Sequence, residues 1–526
     1  MASSQEPPTP RWSVARTGRR WVLLCAVLAA VLVFLWPEAW GAGFVWGDPL
    51  GESDNHLWMF WSVAQSGATA NSPTGVAIPL MDPINYPPYA LGEAIGGPLL
   101  GWRLVMILNI GLAMLGGFGL AREVGGARAG WVGMVATGFA PSLAGFLNFG
   151  MTESWTLGWF AIHAWMLIAY ARRGGAMRAC TAGLALGAVA MSGWYHALYG
   201  LILEAMLVPA LLWRSRRPGL VAQGLLGLAI AWPLWVKFQE VRGLWEGRWR
   251  MPPPGPPGPR EDWAELPVFG TDILNLVRPS LASLQPAKCA YLGVVLIGLI
   301  GWGLLRERRL TGVMLALAAP FLLLALGPWP TLGGKALGFA GPAYGLVQLA
   351  PSLSGMSHWE RAVGPAVPFL ATAAAIGAAR LPHRAWVIPL TCGLILLDSL
   401  MFSSAPWPRT SYRVQIPEAL AQVPGEGGLI QLPFDNGRAE FSDEPARIYT
   451  RWQLEHGRSI SENYEGVDSV LERSDLVARA DILCGLRQTI PPYYQVPSNL
   501  RPDAAPEGPE LARELVELRA WGYSWI

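Results

Sequence analysis

The chain has 526 residues, with 39 Lys and Arg against 37 Asp and Glu and a formal net charge of +2 at pH 7. Only 14% of residues are charged and mean hydropathy is +0.31, which excludes a soluble globular protein of this length. Long apolar runs separated by short Arg-rich patches are the pattern of a polytopic membrane protein. The 27 Trp fit two membrane interfaces, and the 5 Cys are too scattered for a metal motif or a disulfide framework.

A short tail, 1–20, precedes the first apolar run at 21–36. That run has a basic front (Arg11, Arg16, Arg19, Arg20) and ends in Trp36-Pro37-Glu38 without a small-residue cleavage site, as an uncleaved signal anchor would. Further spans are predicted near 98–120, 129–147, 154–171, 179–193, 196–213, 219–236, 289–305, 311–327, 361–380 and 385–402, about eleven in all. The basic residues fall in every second connection: Arg122 and Arg128, Arg172 to Arg178, Arg214 to Arg217, Arg306 to Arg309, Arg380 and Arg384. The positive-inside rule then puts the N-terminus in the cytoplasm and the tail after 402 outside. The transmembrane region is read as 21–402, with a first outer loop at 37–97 and a Pro-rich outer loop at 237–288 that contains PPPGPPGP at 252–259. In the tail, 403–526, a strand at 428–434, helices at 443–457, 467–483 and 508–521, and a strand starting at 523–526 suggest a small α/β extracytoplasmic domain, with the break inside a strand expected of an incomplete or minimal one.

Residues 37–102 contain no Lys or Arg but hold Glu38, Asp48, Glu52, Asp54, Asp82 and Glu93. The positive-inside rule explains the missing bases and does not require the acids. Asp48, Glu52 and Asp54 lie close together beside His56. A carboxylate at headgroup level can take a proton from a hydroxyl or help to hold a divalent cation, Mg or Mn, with Asp48 and Asp54 as its ligands. The bland reading of Asp54 is a helix cap, because Leu57, Phe60, Trp61 and Ala64 form one apolar face from His56 to Ala64 that would lie in the membrane interface. On that reading His56 is a polar-face residue and Trp58 and Trp61 are membrane anchors; on the sharper one His56 is a ligand or proton carrier.

Arg103 and Arg361 open spans on the outer side, against the orientation rule, and so call for an anion: Glu153, Glu360 or a phosphate. Glu153, Tyr195 and His196 sit at outer turns and could line the same cavity or simply cap and pack. No phosphate loop, nucleophile elbow or basic nucleic-acid patch occurs, and the cytoplasmic loops are too short for a nucleotide site.

Several segments together resemble a known superfamily: GDPLGESDNHLWMFW at 47–61, NYPPYA at 85–90, NFGMTESWTLGW at 148–159, GTDILNLVRPS at 270–280, YLGVVL at 291–296, ALGP at 325–328, MSHWERA at 356–362, LIQLPF at 429–434 and QLEHGRSISENY at 453–464. The chain is similar to the polytopic glycosyltransferases of the GT-C fold, in their bacterial branch. That resemblance implies a mostly α, multi-pass protein of the bacterial cytoplasmic membrane, bound in the bilayer and using a polyprenyl-phosphate sugar donor. It implies outward-facing transfer with inversion to a glycan, lipid or protein acceptor, with no nucleic-acid partner. It implies an essential carboxylate among Asp48, Glu52 and Asp54, and a phosphate-facing arginine at Arg361 or Arg103; many relatives carry adjacent acids where these are spaced. The rivals are a non-catalytic envelope assembly factor of the same fold and a lipid-linked glycan flippase, for which Glu204 and Asp398 are the clearest intramembrane acids.

Overall fold

Apolar runs closed by glycine and arginine become helices because a chain in hydrocarbon must satisfy its own backbone, which a helix does within one segment. The computed structural model describes residues 44–47, 51–66, 69–70, 76–77, 82–245, 270–278, 290–350, 353, 356, 358–402, 411–413, 428–429, 512, 516 and 523–525. The expected span at 21–36, Asp48, the Pro-rich tract and most of the tail lie outside these residues.

The fold is mostly α and polytopic. Strand β1 is Phe44–Trp46 and helix α1 is Ser53–Ser66. Short strands β2 (Thr69–Ala70) and β3 (Val76–Ala77) precede α2 (Tyr86–Gly96) and α3 (Pro98–Gly125). The predicted span at 129–147 is divided into α4 (Ala127–Gly138) and α5 (Pro141–Phe149), because Pro141 has no N–H and starts a new helix. Then come α6 (Leu157–Arg173), α7 (Ala176–Ala190), α8 (Trp194–Ser215) and α9 (Gly219–Trp245). After the intervening loop follow α10 (Val294–Arg306), α11 (Arg308–Ala325), strands β4 (Thr331–Leu332) and β5 (Lys335–Ala336), and α12 (Pro342–Leu349). The last described helices are α13 (Val363–Ala379) and α14 (Val387–Phe402). Five helical segments are long and apolar enough to cross a membrane: Pro98–Gly125, Ala127–Phe149, Trp194–Ser215, Arg308–Ala325 and Trp359–Ala379.

Helix α13 is the central post, packed against α3, α4, α10 and α11. Its ATAAAIGAA face makes this possible, since small residues let helix backbones approach where apolar burial drives little association. A Cβ at Gly377 would meet the Leu299 carbonyl at 2.0 Å, so no larger residue fits that crossing. Helix α1 departs from expectation. Leu57, Trp58, Met59, Phe60 and Trp61 are consecutive, hence point around the whole helix, and each is at most 7% exposed. The helix is therefore inserted in the protein rather than lying with one face in the membrane interface.

The chain ends that flank the bundle meet in strands. Strand β1 pairs antiparallel with β6 (Ser411–Arg413), Val45 opposite Tyr412. Strand β7 (Gly428–Leu429) pairs in parallel with β8 (Tyr523–Trp525), at the two places where the sequence predicts strands in the tail.

Candidate functional site

Three separate segments converge on one buried group of charges. The first is the N-terminal end of α1, with Glu52 just before the helix and His56 four residues on. The second is the turn after α5, which carries Thr152 and Glu153. The third is the 3-10 turn Trp359–Ala362 that leads into α13 and carries Glu360 and Arg361. Backbone fit holds the first two together. Glu52 N–H donates to the Phe149 carbonyl at 2.6 Å. Gly150 closes α5 in the left-handed region at φ 87°, and a Cβ there would lie 2.3 Å from the Ser53 nitrogen. Glycine at 150 therefore sets both the turn and its contact with α1.

Charges alternate across the group. His56 Nε2 lies 3.3 Å from Glu52 Oε2 and 3.7 Å from Glu153 Oε2, and Arg361 Nη1 donates to Glu153 Oε1. Burial disfavours a charge on His56, but the carboxylates of Glu153 and Glu52 outweigh it and raise the imidazole to about 9. Burial also works against the Glu52 carboxylate. The His56 hydrogen bond and the charges of His56, Arg361 and His358 outweigh it and hold the group at about 2. For Glu153, burial is opposed by Arg361 and then His56, and the carboxyl is lowered. At neutral pH the four side chains thus read minus, plus, minus, plus.

The flanks are polar too. The Arg361 guanidinium lies 5.1 Å from the Tyr195 ring centroid, and the Tyr195 hydroxyl accepts from His358 N–H at 3.2 Å. His196 lies beside Tyr199, with ring centroids 5.8 Å apart. Glu360 pairs with His358 Nδ1 at 2.8 Å. Among the described residues, Glu153 Oε2, Glu360 Oε2, His196 Nδ1 and the Tyr199 hydroxyl find no hydrogen-bond partner. An unmade buried hydrogen bond costs roughly 1–3 kcal/mol, so such atoms mark where a polar ligand or water fits.

The sequence-derived candidates therefore divide. Glu52, His56, Glu153, Arg361, Tyr195 and His196 share this region. Asp54 lies in the first turn of α1, within the helix rather than at its cap, and accepts a hydrogen bond from the Tyr412 hydroxyl of β6. Arg103 donates to the Phe44 carbonyl at 2.8 Å and lies over Trp46, so it secures β1 to α3. Asp82, Thr152 and His358 were not singled out, although each lies in or beside a quoted segment. Asp82 precedes Pro83 and Asn85, an Asx-Pro turn signal that carries no hint of its distant partner.

Glu52, His56 and Glu153 could also hold a metal ion, because one ligand atom from each lies within 4.8 Å of the others. The 3.3 and 3.7 Å separations are near the roughly 3.0–3.4 Å that ligand atoms keep around a cation with bonds of about 2.1 Å. The unpartnered Glu153 Oε2 and the remaining His56 nitrogen, engaged by Thr152, fit that use. Asp54 is not in this set and is engaged by Tyr412, and Asp48 lies outside the described residues.

No protein-family profile matches the chain, and no curated protein matches it. Among solved structures the chain is similar to the crystal structure of ArnT from Cupriavidus metallidurans bound to undecaprenyl phosphate, at 16% identity and a TM-score of 0.41. The match covers 70% of this chain and 61% of that one. At that TM-score the likeness carries nothing for the residues of the site.

Proposed function

We propose that this protein is a membrane glycosyltransferase that moves a sugar from a polyprenyl-phosphate donor to a hydroxyl acceptor on the outer face of the bacterial cytoplasmic membrane. The observation that carries this reading is the buried Glu52–His56–Glu153–Arg361 network, assembled from three segments at one end of the bundle and left with unfilled polar atoms. A lipid phosphate keeps its tail in the bilayer and brings an anion and a sugar to that level. Arg361 supplies a fork of donors suited to phosphate oxygens.

In the proposed reaction the acceptor oxygen attacks the anomeric carbon as the bond from that carbon to the phosphate oxygen breaks, with inversion. The acceptor proton passes to a carboxylate, and the electron pair of the broken bond leaves on the polyprenyl phosphate. Glu52 is the base. Its side chain is 15% exposed, against 2% for His56 and 6% for Glu153, so it is the member open to an acceptor. A carboxyl held at about 2 is a weak base. A phosphate on Arg361 would offset the positive field that holds it there, and Glu52 would gain basicity as the donor binds. Glu153 holds Arg361 in place until then. A divalent cation held by Glu52, His56 and Glu153 would supply further positive charge beside the leaving phosphate. The imidazole in that set suits Mn or Zn better than Mg.

The test uses full-length protein in nanodiscs. Undecaprenyl phosphate binding is measured first, then sugar transfer from a polyprenyl-phosphate donor. Glu52→Gln is expected to retain lipid binding and to lose transfer by about 100-fold or more, the usual range for a positioned base. Arg361→Met is expected to weaken lipid binding. Failure of the wild-type protein to bind the lipid phosphate would overturn the reading.

A further inference from the structure

Behind His56, on the side away from Glu52 and Glu153, runs a chain of buried polar groups that the proposed reaction does not use. His56 Nδ1 and Thr152 Oγ1 are 2.6 Å apart. The Thr152 side chain also lies beside the Asp82 carboxyl and favours its charged form. Asn85 Nδ2 donates to Asp82 Oδ2 at 2.8 Å and to the Thr152 carbonyl at 3.0 Å. Asn109, inside α3, donates through Nδ2 to Asn85 Oδ1 at 2.8 Å and to the Val105 carbonyl at 2.9 Å. All five side chains are at most 2% exposed.

The direction of these bonds can be worked out from what each group can donate. The amide of Asn109 gives its hydrogens to Val105 and Asn85. Asn85 Oδ1 is therefore an acceptor, and its own amide hydrogens go to Asp82 and the Thr152 carbonyl. Asp82, once ionised, is the acceptor on which the chain ends. Placed between a carboxylate and an imidazole, the Thr152 hydroxyl gives its single hydrogen to the carboxylate, so the oxygen that faces His56 presents a lone pair. His56 Nδ1 must then carry a hydrogen, and Nε2 is the nitrogen turned toward the two glutamates. This holds whether Nε2 carries a proton or meets a cation.

We propose that Thr152 and Asp82 are a positioning pair for His56, which fixes its Nδ1–H tautomer and keeps Nε2 aimed between Glu52 and Glu153. The proposal deepens the reading above and rests on it for the use to which His56 is put. The geometry of the pair stands apart from that use. Thr152 has to be a hydroxyl residue: valine has the same shape but would leave Nδ1–H buried without an acceptor. Serine keeps the acceptor. Asp82 acts one bond further back, by taking the hydroxyl hydrogen that would otherwise compete for Nδ1.

The experiment is 15N NMR of full-length, histidine-labelled, metal-free protein in nanodiscs, with His56 assigned among the 6 His by its loss in His56→Gln. The wild-type ring is expected to show a hydrogen-bonded, slowly exchanging Nδ1–H. Thr152→Val and the less bulky Thr152→Ala should lose that signal, Thr152→Ser should keep it, and Asp82→Asn should shift it. An unchanged His56 spectrum in Thr152→Val or Thr152→Ala would overturn the proposal. A second readout is Mn affinity, expected to fall about 10- to 100-fold in Thr152→Ala and to recover in Thr152→Ser. If wild-type protein binds no Mn, the cation part of the functional reading fails, and the ring spectrum still decides the positioning role.

Discussion

Acids wholly or largely withdrawn from the surface occur in two settings in this molecule, and they are treated differently. Inside the helices, Glu204 of α8 and Asp398 of α14 have both oxygens in use. Glu204 accepts from Gln223 Nε2 at 2.9 Å on each oxygen and faces His163 Nε2 at 2.8 Å. Asp398 accepts from the Tyr291 hydroxyl at 2.8 Å and from Val295 N–H at 2.9 Å, which satisfies backbone at the start of α10. At the loop end, Glu153, Glu360 and Asp82 each keep one buried oxygen that finds no hydrogen-bond partner among the described residues. The first setting is that of ties between helices. The second is that of a site, where polar capacity is held in reserve for something that arrives. The same contrast weakens the flippase reading, because the two intramembrane acids that would serve it are already committed to structure.

The comparison can be broken by substitutions on either side. The largest effect is expected from Arg361→Met, which leaves Glu153 as a buried charge without its counter-ion. Such a loss costs about 3–5 kcal/mol, read as a fall in thermal stability, and Glu153→Gln in the same chain should restore part of it.

The alkaline limb of the stability profile comes next. The His56 imidazole is raised from 6.5 to about 9, so its contribution is fully present below 6.5 and is lost as pH rises through about 9. Asp82 behaves with the same sign: burial lifts its carboxyl from 3.8 to about 7, and its contribution is lost as pH rises through about 7. Glu52 has the opposite sign, with stability present above 4.5 and lost as pH falls toward about 2. Unfolding measured from pH 6 to 10 should therefore show a decline that His56→Asn flattens.

On the other side of the comparison, Asp398→Ala should lower stability by about 1–3 kcal/mol through the stranded Tyr291 hydroxyl and Val295 N–H, with transfer retained in the folded fraction. Tyr412→Phe should cost about 1 kcal/mol by removing the tie between β6 and Asp54. Glu204→Gln keeps an acceptor and should change stability by only about 0.6 kcal/mol, the average found for polar pairs between membrane helices.

How much of this was legible in the sequence follows from the range of the interactions. Spans are local, and apolar length with arginine placement located each described helix from α3 to α14 except α12, with ends shifted by a few residues and, for α9, carried on past the predicted 236 to Trp245. Pro141 divided one span, a break its N1 preference could have announced. Helix α1 was visible as a helix, but its burial was not. The face read as lipid-directed belongs to a helix that is apolar on nearly every side, which periodicity alone cannot assign to lipid or to protein. At the site, Glu52, His56, Glu153 and Arg361 all stood out as residue types out of place. What joins them are contacts across 96 residues for Thr152 and His56 and across 208 for Arg361 and Glu153. Asp54, one of the three candidate acids, accepts from Tyr412, and no local rule foretells a partner 358 residues away.

The most direct test of the contrast is sugar transfer by full-length protein in liposomes that contain a polyprenyl-phosphate donor, with Glu153→Gln and Glu204→Gln compared at equal folded amounts. If the loop-end network is the site and the intramembrane acid a tie, Glu153→Gln should misplace Arg361 and lose transfer by about 100-fold while Glu204→Gln stays within about threefold of wild type. Equal loss in both, or loss in Glu204→Gln alone, would contradict the account.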